Sequence, residues 1–497
     1  MSTIAVIGSG FSGLSAAACL AQAGLDVTVL EKNSLPGGRA RKFEENGFTF
    51  DMGPSWYWMP EVFEKFYNRF GKTTADFYSL VRLDPSYRVF FSKNDILDVP
   101  AGVEALYKMF DTRESGSGAR LKKFLEEGKF KYEVGINKLV YNPGLSVKEL
   151  WDTQLLKGLL KLDVFQSLSS HVRKYFHDPG LVKLLEFPVL FLGAPPSRTP
   201  ALYSLMNYAD MVLGTWYPMG GMYKIVEAMH KIGGGQGVKF QFNSEVTGME
   251  MNSTSVKSLH VNGQERKFDY VVASADYEHV EQQLLPVSFR RYSKSYWNDR
   301  VMAPSSLILF LGVSKKLKNL LHHNLFFDQD FGLHTKEIYE NPAWPTSPLF
   351  YVSCPSYTDS SVAPPDCENV FILIPVAAGL EDTESTREKY FNIVIDRIES
   401  LSGQSIREHI VFKKSYAHRD FVGDYHAFKG NAYGLANTLL QTANLKPSIV
   451  NKKVQNLFYT GQLTVPGPGV PPSIISGQVV AQELIKRERN RQAKQKL

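Results

Sequence analysis

Three glycines and one acid carry the most readable chemistry in the chain. Gly8-Ser9-Gly10-Phe11-Ser12-Gly13 comes directly after the apolar run Ile4-Ala5-Val6-Ile7 and opens a stretch rich in Ala and Leu that stops at Gly24. A second apolar run, Asp26-Val27-Thr28-Val29-Leu30, ends at Glu31, with Lys32 next to it. Gly8 permits a tight turn, Gly10 lets backbone approach a pyrophosphate with no Cβ in the way, and Gly13 lets a helix pack closely on a strand. The helix N-terminus, with Phe11 and Ser12 in its first turn, offers free N–H groups and a positive dipole end to phosphates. Glu31, 18 positions after Gly13, can accept hydrogen bonds from a ribose diol. Strand, glycine turn, helix, strand and acid together specify dinucleotide binding.

The residues just beyond Glu31 decide which dinucleotide. Pro36-Gly37-Gly38-Arg39-Ala40 is a second glycine turn, with a cation able to reach cofactor phosphates. Phe48 to Asp51 reads as a strand entering the turn Met52-Gly53-Pro54-Ser55. The Gly-Gly-Arg extension resembles that of the glutathione-reductase-related flavoproteins, which include amine oxidases, protoporphyrinogen oxidases and carotenoid desaturases. That resemblance implies FAD. Far along the chain, Asn456 to Gly461 is a strand stopping at a glycine, and Pro466 to Ser473, with Gly469, Val470 and Pro471, precedes a helix expected from about residue 474 to 489. Such a loop can bring backbone against the ribityl chain and the flavin ring.

These pieces must be positioned by one sheet. Phe240 to Val246 and Tyr270 to Ala275 read as further strands of the same unit, so the expected fold is α/β with a discontinuous Rossmann-type FAD-binding domain of the glutathione-reductase-related, amine-oxidase-like kind, over residues 1–75, 215–300 and 450–490. The intervening residues 76–214 and 301–449 are expected to form a mixed sheet and helical substrate domain. Strands are expected at Leu307 to Leu311, Phe350 to Val352 and Phe371 to Ile374, and a helix from Glu384 to Leu401. Residues 146–214 read as helical, with Leu150 to Phe165 apolar round so much of the circumference that burial or contact with one membrane leaflet is implied. No second strand–glycine–helix pattern appears; Gly233 to Gly237 reads as a flexible connector between a helix and a strand.

Composition removes other classes. With 43% hydrophobic and 21% charged residues, the chain is neither disordered nor collagen-like. Cys19, Cys354 and Cys367 are too few and too scattered for a Cys-based metal site or a disulfide framework, and no metal site is expected. A spanning helix needs about 20 mostly apolar residues; the best candidate, Val370 to Leu380, is shorter and is broken by Pro375. The first residues lack a basic leader and run straight into the glycine turn, so no signal peptide is expected. Most of the net charge of +6 sits in the tail of residues 486–497, with six basic residues against the single acid Glu488. A groove for nucleic acid would need basic residues spread over a folded surface, so none is expected. His322 and His323, adjacent in sequence, read as a surface pair.

The whole chain resembles the bacterial-type phytoene desaturases. The resemblance rests on Asp51-Met52-Gly53-Pro54-Ser55 and Trp216-Tyr217-Pro218-Met219-Gly220-Gly221, then Tyr351-Val352-Ser353 with Thr358-Asp359 and Ala363-Pro364-Pro365. It continues through Tyr433-Gly434-Leu435, Thr438 to Gln441, and Asn456 to Pro471. It implies non-covalent FAD, desaturation of a long polyene such as phytoene taken from the bilayer, and a quinone or oxygen as electron acceptor. It also implies peripheral attachment to the cytoplasmic face of a membrane. Two departures bear on the substrate: Gln462 to Pro466 stands where many relatives have a small residue and His-Pro, and Lys148-Glu149 stands where relatives have Arg-Asp. Glu149, with Lys148 beside it, is the candidate proton acceptor. Desaturation of a hydroxylated or otherwise modified carotenoid, or flavin-dependent carotenoid isomerisation, fits the same residues. The Rab GDP-dissociation inhibitors share the architecture as lipid-binding escorts, but the set Gly8, Gly10, Gly13, Glu31 and Arg39 favours a bound flavin.

Overall fold

Ile4 to Ile7 is apolar at every position, the pattern of a strand covered on both faces. In the computed structural model, which describes residues 1–146 and 166–495, it is β1 (Thr3–Ile7), the centre of a five-stranded parallel sheet. β2 (Asp26–Leu30) lies on one side with β9 (Lys239–Gln241) beyond it; β13 (Tyr270–Ala273) lies on the other with β19 (Leu457–Tyr459) beyond. Ile4 is level with both Val27 and Tyr270, which fixes the ends of three strands together beneath the glycine turn. Helices α1 (Phe11–Gln22), α2 (Tyr223–Gly235) and α4 (Val470–Gln495) pack about this sheet. α1 and α4 touch almost backbone to backbone: a Cβ on Gly477 would lie 2.3 Å from the carbonyl oxygen of Ser12.

Three expectations shift here. The strand read over Phe240 to Val246 divides, because Asn243 adopts φ +51° and turns the chain. Only β9 joins the parallel sheet, while Val246 begins β10 (Val246–Met251), which pairs with β11 (Val256–Val261) and β12 (Gln264–Arg266) in a separate antiparallel sheet. Gly233 to Gly235 are the last turn of α2 rather than a connector; a Cβ on Gly233 would sit 2.9 Å from the Phe240 ring, so the missing side chain lets the helix end lie against β9. The final helix begins at Val470 and runs on to Gln495, so residues 486–495 of the basic tail are a continuation of α4.

The second sheet has seven strands in the order β18 (Ile410–Tyr416), β14 (Ser305–Val313), β17 (Glu368–Val376), β16 (Phe350–Ser353), β15 (His323–Phe326), β6 (Tyr87–Ser92) and β7 (Asp95–Val99). It is antiparallel except where β15 runs parallel to β6. α3 (Glu384–Ser402) covers one face, where Phe391, Val394, Ile395 and Ile398 meet Leu309, Ile372 and Ile374. On the other face lies the hairpin of β3 (Lys42–Glu45) and β4 (Phe48–Asp51), whose Phe43 and Phe50 pack edge-on against Phe310. A two-stranded ladder of β5 (Leu80–Arg82) and β8 (Trp216–Pro218) joins the two parts.

The region expected to be helical and membrane-associating is only partly described. Within it the chain forms short helices, Leu168–Val172, Pro179–Glu186 and Leu205–Tyr208. Leu168, Leu181, Leu184 and Leu185 are fully buried in the core with Tyr87, Val89 and Phe327, so these leucines have no surface to offer a lipid. Lys148, Glu149 and the run from Leu150 to Phe165 lie outside the described residues.

Candidate active site

The glycines of the first turn divide their work as their surroundings dictate. Gly8, at φ +95°, turns the chain out of β1, and its N–H donates to Leu30 O at 2.8 Å. A Cβ on Gly10 would find nothing within 4 Å, whereas one on Gly13 would lie 2.1 Å from Gly8 O. Gly10 therefore faces open space at the start of α1, and Gly13 is wedged behind it. Glu31 is only 4% exposed; it accepts from the N–H and Oγ of Ser9 (2.8 and 2.7 Å) and from the N–H and Nδ2 of Asn33 (2.8 and 3.0 Å). Its orientation is thus fixed, and lone pairs remain for a diol.

The second glycine turn is folded onto the first. Gly38, at φ +55°, would place a Cβ 3.3 Å from Gly10 Cα. Arg39 beside it donates from Nη2 to Asn431 O at 3.2 Å and lies 5.1 Å from the Tyr425 ring centroid. Its Nε is buried with no hydrogen-bond partner. An unpaired buried donor is costly, and a phosphate oxygen is the group that would satisfy it. The open face of Gly10 and this donor both fit a pyrophosphate.

From these turns a cavity of about 2310 Å³, its mouth included, runs to the loop before α4. Of the residues expected to hold the cofactor, Gly8, Gly10, Phe11, Ser12, Glu31, Lys32, Gly38, Arg39, Gly53, Pro54, Ser55, Val246, Gly461, Gly469, Val470 and Pro471 all line it. Gly13 alone does not, for the packing reason above. Close approach explains two others: a Cβ on Gly53 would lie 2.3 Å from Arg39 O, and one on Gly461 (φ +115°) would lie 3.3 Å from Ser12 Oγ.

Several lining residues escaped sequence reasoning. Asp276, one step past the strand expected to end at Ala275, accepts from the N–H groups of Glu278 and Phe428 (3.0 and 3.3 Å). Burial raises its pKa while Arg39 opposes the rise. Lys32 is 3.1 Å from His426 Nε2, which in turn lies 3.0 Å from Glu245 Oε1. The His279 and His426 rings stack at 4.0 Å, and burial, with His426 next, takes His279 down to about 4. Another part of the cavity is apolar and aromatic, walled by Trp56, Trp58, Ile308, Leu373 and Tyr433. Trp56 and Trp58 stand two residues apart after a turn, an alternation that could have been read as one buried face.

The surface pair expected at His322 and His323 is overturned. Both are buried, at 2% and 0% exposure, because β15 and the residue before it lie inside a sheet covered on both faces. The His323 ring stacks on Trp56, with centroids 4.2 Å apart and 13° between planes. Asp51, partly buried, accepts from the N–H groups of Met222 and Tyr223 (2.7 and 2.9 Å), and desolvation lifts it to about 6. Among the described residues no group of three His, Cys, Asp or Glu side chains is arranged to hold a metal ion.

A parallel sheet with a glycine turn at its centre, a buried Arg donor and a cavity that passes from polar to aromatic define a flavin-dependent oxidoreductase. Residues 11–485 match the flavin containing amine oxidoreductase family, and the chain belongs to it, with FAD as its cofactor. It is 40% identical over 483 residues to the carotenoid 3,4-desaturase of Haloarcula japonica, covering 97% of this chain and 98% of that protein. It is 30% identical over 493 residues to the zeta-carotene-forming phytoene desaturase of Myxococcus xanthus, covering 97% and 93%. An oxidoreductase from Methanosarcina mazei shares the fold, with a TM-score of 0.63 at 14% identity over 97% of this chain and 100% of that one.

Proposed function

We propose that the protein is a carotenoid desaturase that binds a long polyene in the aromatic half of the cavity and withdraws a hydride from a CH2–CH2 unit beside its conjugated stretch. The observation that carries this reading is the continuity of one cavity from the Gly10 turn to Trp56, Trp58 and Tyr433; the kinship with carotenoid desaturases supports it. Bound FAD supplies the two-electron acceptor. The rest falls to the chain. Gly8, Gly10 and the first turn of α1 would hold the pyrophosphate, Arg39 would neutralise it, and Glu31 would accept the ribose diol. Val246, Gly53 to Ser55, Gly461 and the Gly469-Val470-Pro471 loop, which line the rest of the cavity, would hold the remainder of the cofactor.

The substrate carbon is unactivated, so no side-chain base can begin the reaction. Loss of hydride leaves an allylic cation, which the polyene delocalises and which faces of Trp56, Trp58 and Tyr433 can stabilise by cation–π attraction. Alignment is the main requirement, since a misplacement of about 1 Å can cost roughly 100-fold. The higher identity to the 3,4-desaturase than to the phytoene desaturase favours a 3,4 position over the first desaturations of phytoene.

Substrate of this kind is dissolved in a bilayer, and a peripheral seat on the cytoplasmic face accounts for its collection. Exposed Leu145, Val301, Leu440 and Leu445 support this (37, 45, 78 and 56% exposed), as does the tie between their loops through Asn444 Nδ2 to Ser146 O and Gln441 to Val301. No helix among the described residues is long and apolar enough to cross a membrane. Electrons then pass to a quinone or oxygen. The test is anaerobic single turnover with liposomes carrying phytoene, lycopene or a hydroxylated acyclic carotene. Flavin bleaching and a red-shifted polyene spectrum are expected with at least one; bleaching with none of them rejects the reading.

A further inference from the structure

Desaturation has a second half. Once hydride has left, a neighbouring C–H proton must pass to an oxygen or nitrogen before the double bond is complete. Resting on the desaturase reading, we propose that the Tyr351 hydroxyl and the His323 imidazole form the pair that accepts this proton, and that His322 and the small cavity behind it return the proton to solvent.

Tyr351 stands on β16 in the wall of the main cavity, and its hydroxyl lies 2.6 Å from His323 Nδ1 on the neighbouring β15. Trp56, another wall residue, stacks flat on the imidazole and fixes its plane. Nε2 of His323 is buried without a hydrogen-bond partner, so one nitrogen meets the tyrosine and the other is uncommitted. His322 comes next at 4.5 Å between ring centroids. His322 and Ser353 line a second cavity, little larger than a water molecule, with Asp51, Ser55 and Tyr217 among the apolar side chains Phe50 and Phe371, and Ser55 lines both cavities. On the far side His322 Nδ1 lies 2.8 Å from Oγ1 of Thr358, a partly exposed residue. Proton-carrying groups therefore extend from the substrate wall to a partly exposed threonine on the far side of the sheet.

The transfer balances. The Tyr351 oxygen takes the C–H proton, the C–H electron pair becomes the new π bond, and the tyrosine's own proton moves to His323 Nδ1. Positive charge passes from the polyene to the imidazole, so the buried site gains none. Burial holds both histidines below the ordinary imidazole range, His322 at about 3. That suits a relay, because a carbocation is a far stronger acid than any side chain and a weakly basic imidazole gives the proton up again.

The experiment compares the parent protein with Tyr351→Phe, His323→Gln and Glu149→Gln in anaerobic single turnover, using whichever liposomal carotenoid the parent desaturates. Tyr351→Phe and His323→Gln are expected to lower product formation at least about tenfold, as lost acid–base catalysis does. FAD content and half-saturating carotenoid should stay unchanged, which a merely structural role would not allow. Product formation by the parent should slow in D2O while flavin bleaching does not, a reading that needs no variant. Full-rate Tyr351→Phe, equal product rates in both solvents, or loss of product in Glu149→Gln alone would each overturn the proposal. A parent that bleaches with no carotenoid removes the desaturase reading, and this proposal falls with it.

Discussion

A Cβ on Gly13 would lie 2.1 Å from the carbonyl oxygen of Gly8, whereas one on Gly10 would touch nothing within 4 Å. The same kind of substitution should therefore fail in two different ways. Gly10 has φ −66°, ordinary for any residue, so Gly10→Val should fold with the melting temperature of parent apoprotein and yet carry no flavin. Gly13→Ala should push α1 off β1 and cost at least about 1–3 kcal/mol of stability, the usual penalty of overpacking. Thermal unfolding of the apoproteins and the flavin absorbance per chain separate the two. A Gly10→Val protein with a full flavin spectrum would refute the placement of the pyrophosphate.

Arg39 offers a sharper probe of the same site. Its unpaired Nε is the donor that an anionic cofactor would satisfy, and a charge-assisted hydrogen bond contributes about 1.5–3 kcal/mol. Arg39→Met should weaken FAD binding to apoprotein by about ten- to a hundredfold. Fluorescence titration measures this directly; unchanged affinity would move the phosphates elsewhere.

Lys446 should make stability depend on pH. Its ammonium is buried with no hydrogen-bond partner, and burial lowers its pKa to about 7. The unfolded lysine titrates near 10.4. Between about pH 7 and 10.4 the unfolded chain binds a proton that the folded chain lacks, so stability rises with pH, by up to about 1.4 kcal/mol per unit. Below about pH 7 the whole penalty is present. Lys446→Met should raise stability at neutral pH and flatten that rise in denaturant titrations; a parallel pH curve for the variant would show that another group is responsible.

The basic tail needs a test that does not damage the fold. Glu488, its one acid, is only 3% exposed and accepts from Ser2 Oγ, Tyr270 OH, Arg491 Nε and Gln492 Nε2 (2.7–2.8 Å), bonds that bring its pKa to about 2. Deleting residues 486–497 would leave Ser2 and Tyr270 without that acceptor and should lower the melting temperature. Replacing Lys486, Arg489 and Lys494 with Gln should leave it unchanged and still weaken binding to anionic vesicles, each basic residue contributing about 1 kcal/mol near such a surface. Equal binding of parent and triple variant to anionic vesicles would exclude the tail from membrane contact.

Legibility followed locality. The turn at Gly8, the strand ending at Glu31 and the Gly38-Arg39 turn each declare themselves within a few residues, because phosphate binding needs backbone in a fixed local shape. His322 and His323 did not, since whether a polar pair is buried depends on what covers both faces of a sheet assembled from distant segments. Their neighbours Leu320, Leu321, Leu325 and Phe326, apolar on both alternating faces, were the available signal. Asp276 was missed because its role is set by Arg39, more than two hundred residues away. Leu168, Leu181, Leu184 and Leu185 fall in a stretch whose leucines suit lipid or core alike, and only packing against distant strands shows them to be core.

The order of the parallel sheet has a consequence for biosynthesis. β19, at residues 457–459, hydrogen-bonds to β13, at residues 270–273, and α4 then packs along α1. As the chain leaves the ribosome, β1, β2 and the glycine turn emerge early, yet one edge of their sheet and one side of α1 stay uncovered until more than nine-tenths of the chain has been made. Such long closures are slow, and the exposed edge invites pairing with other nascent chains. The loop before α4 lines the cofactor cavity, so the cavity too is complete only when this last piece docks.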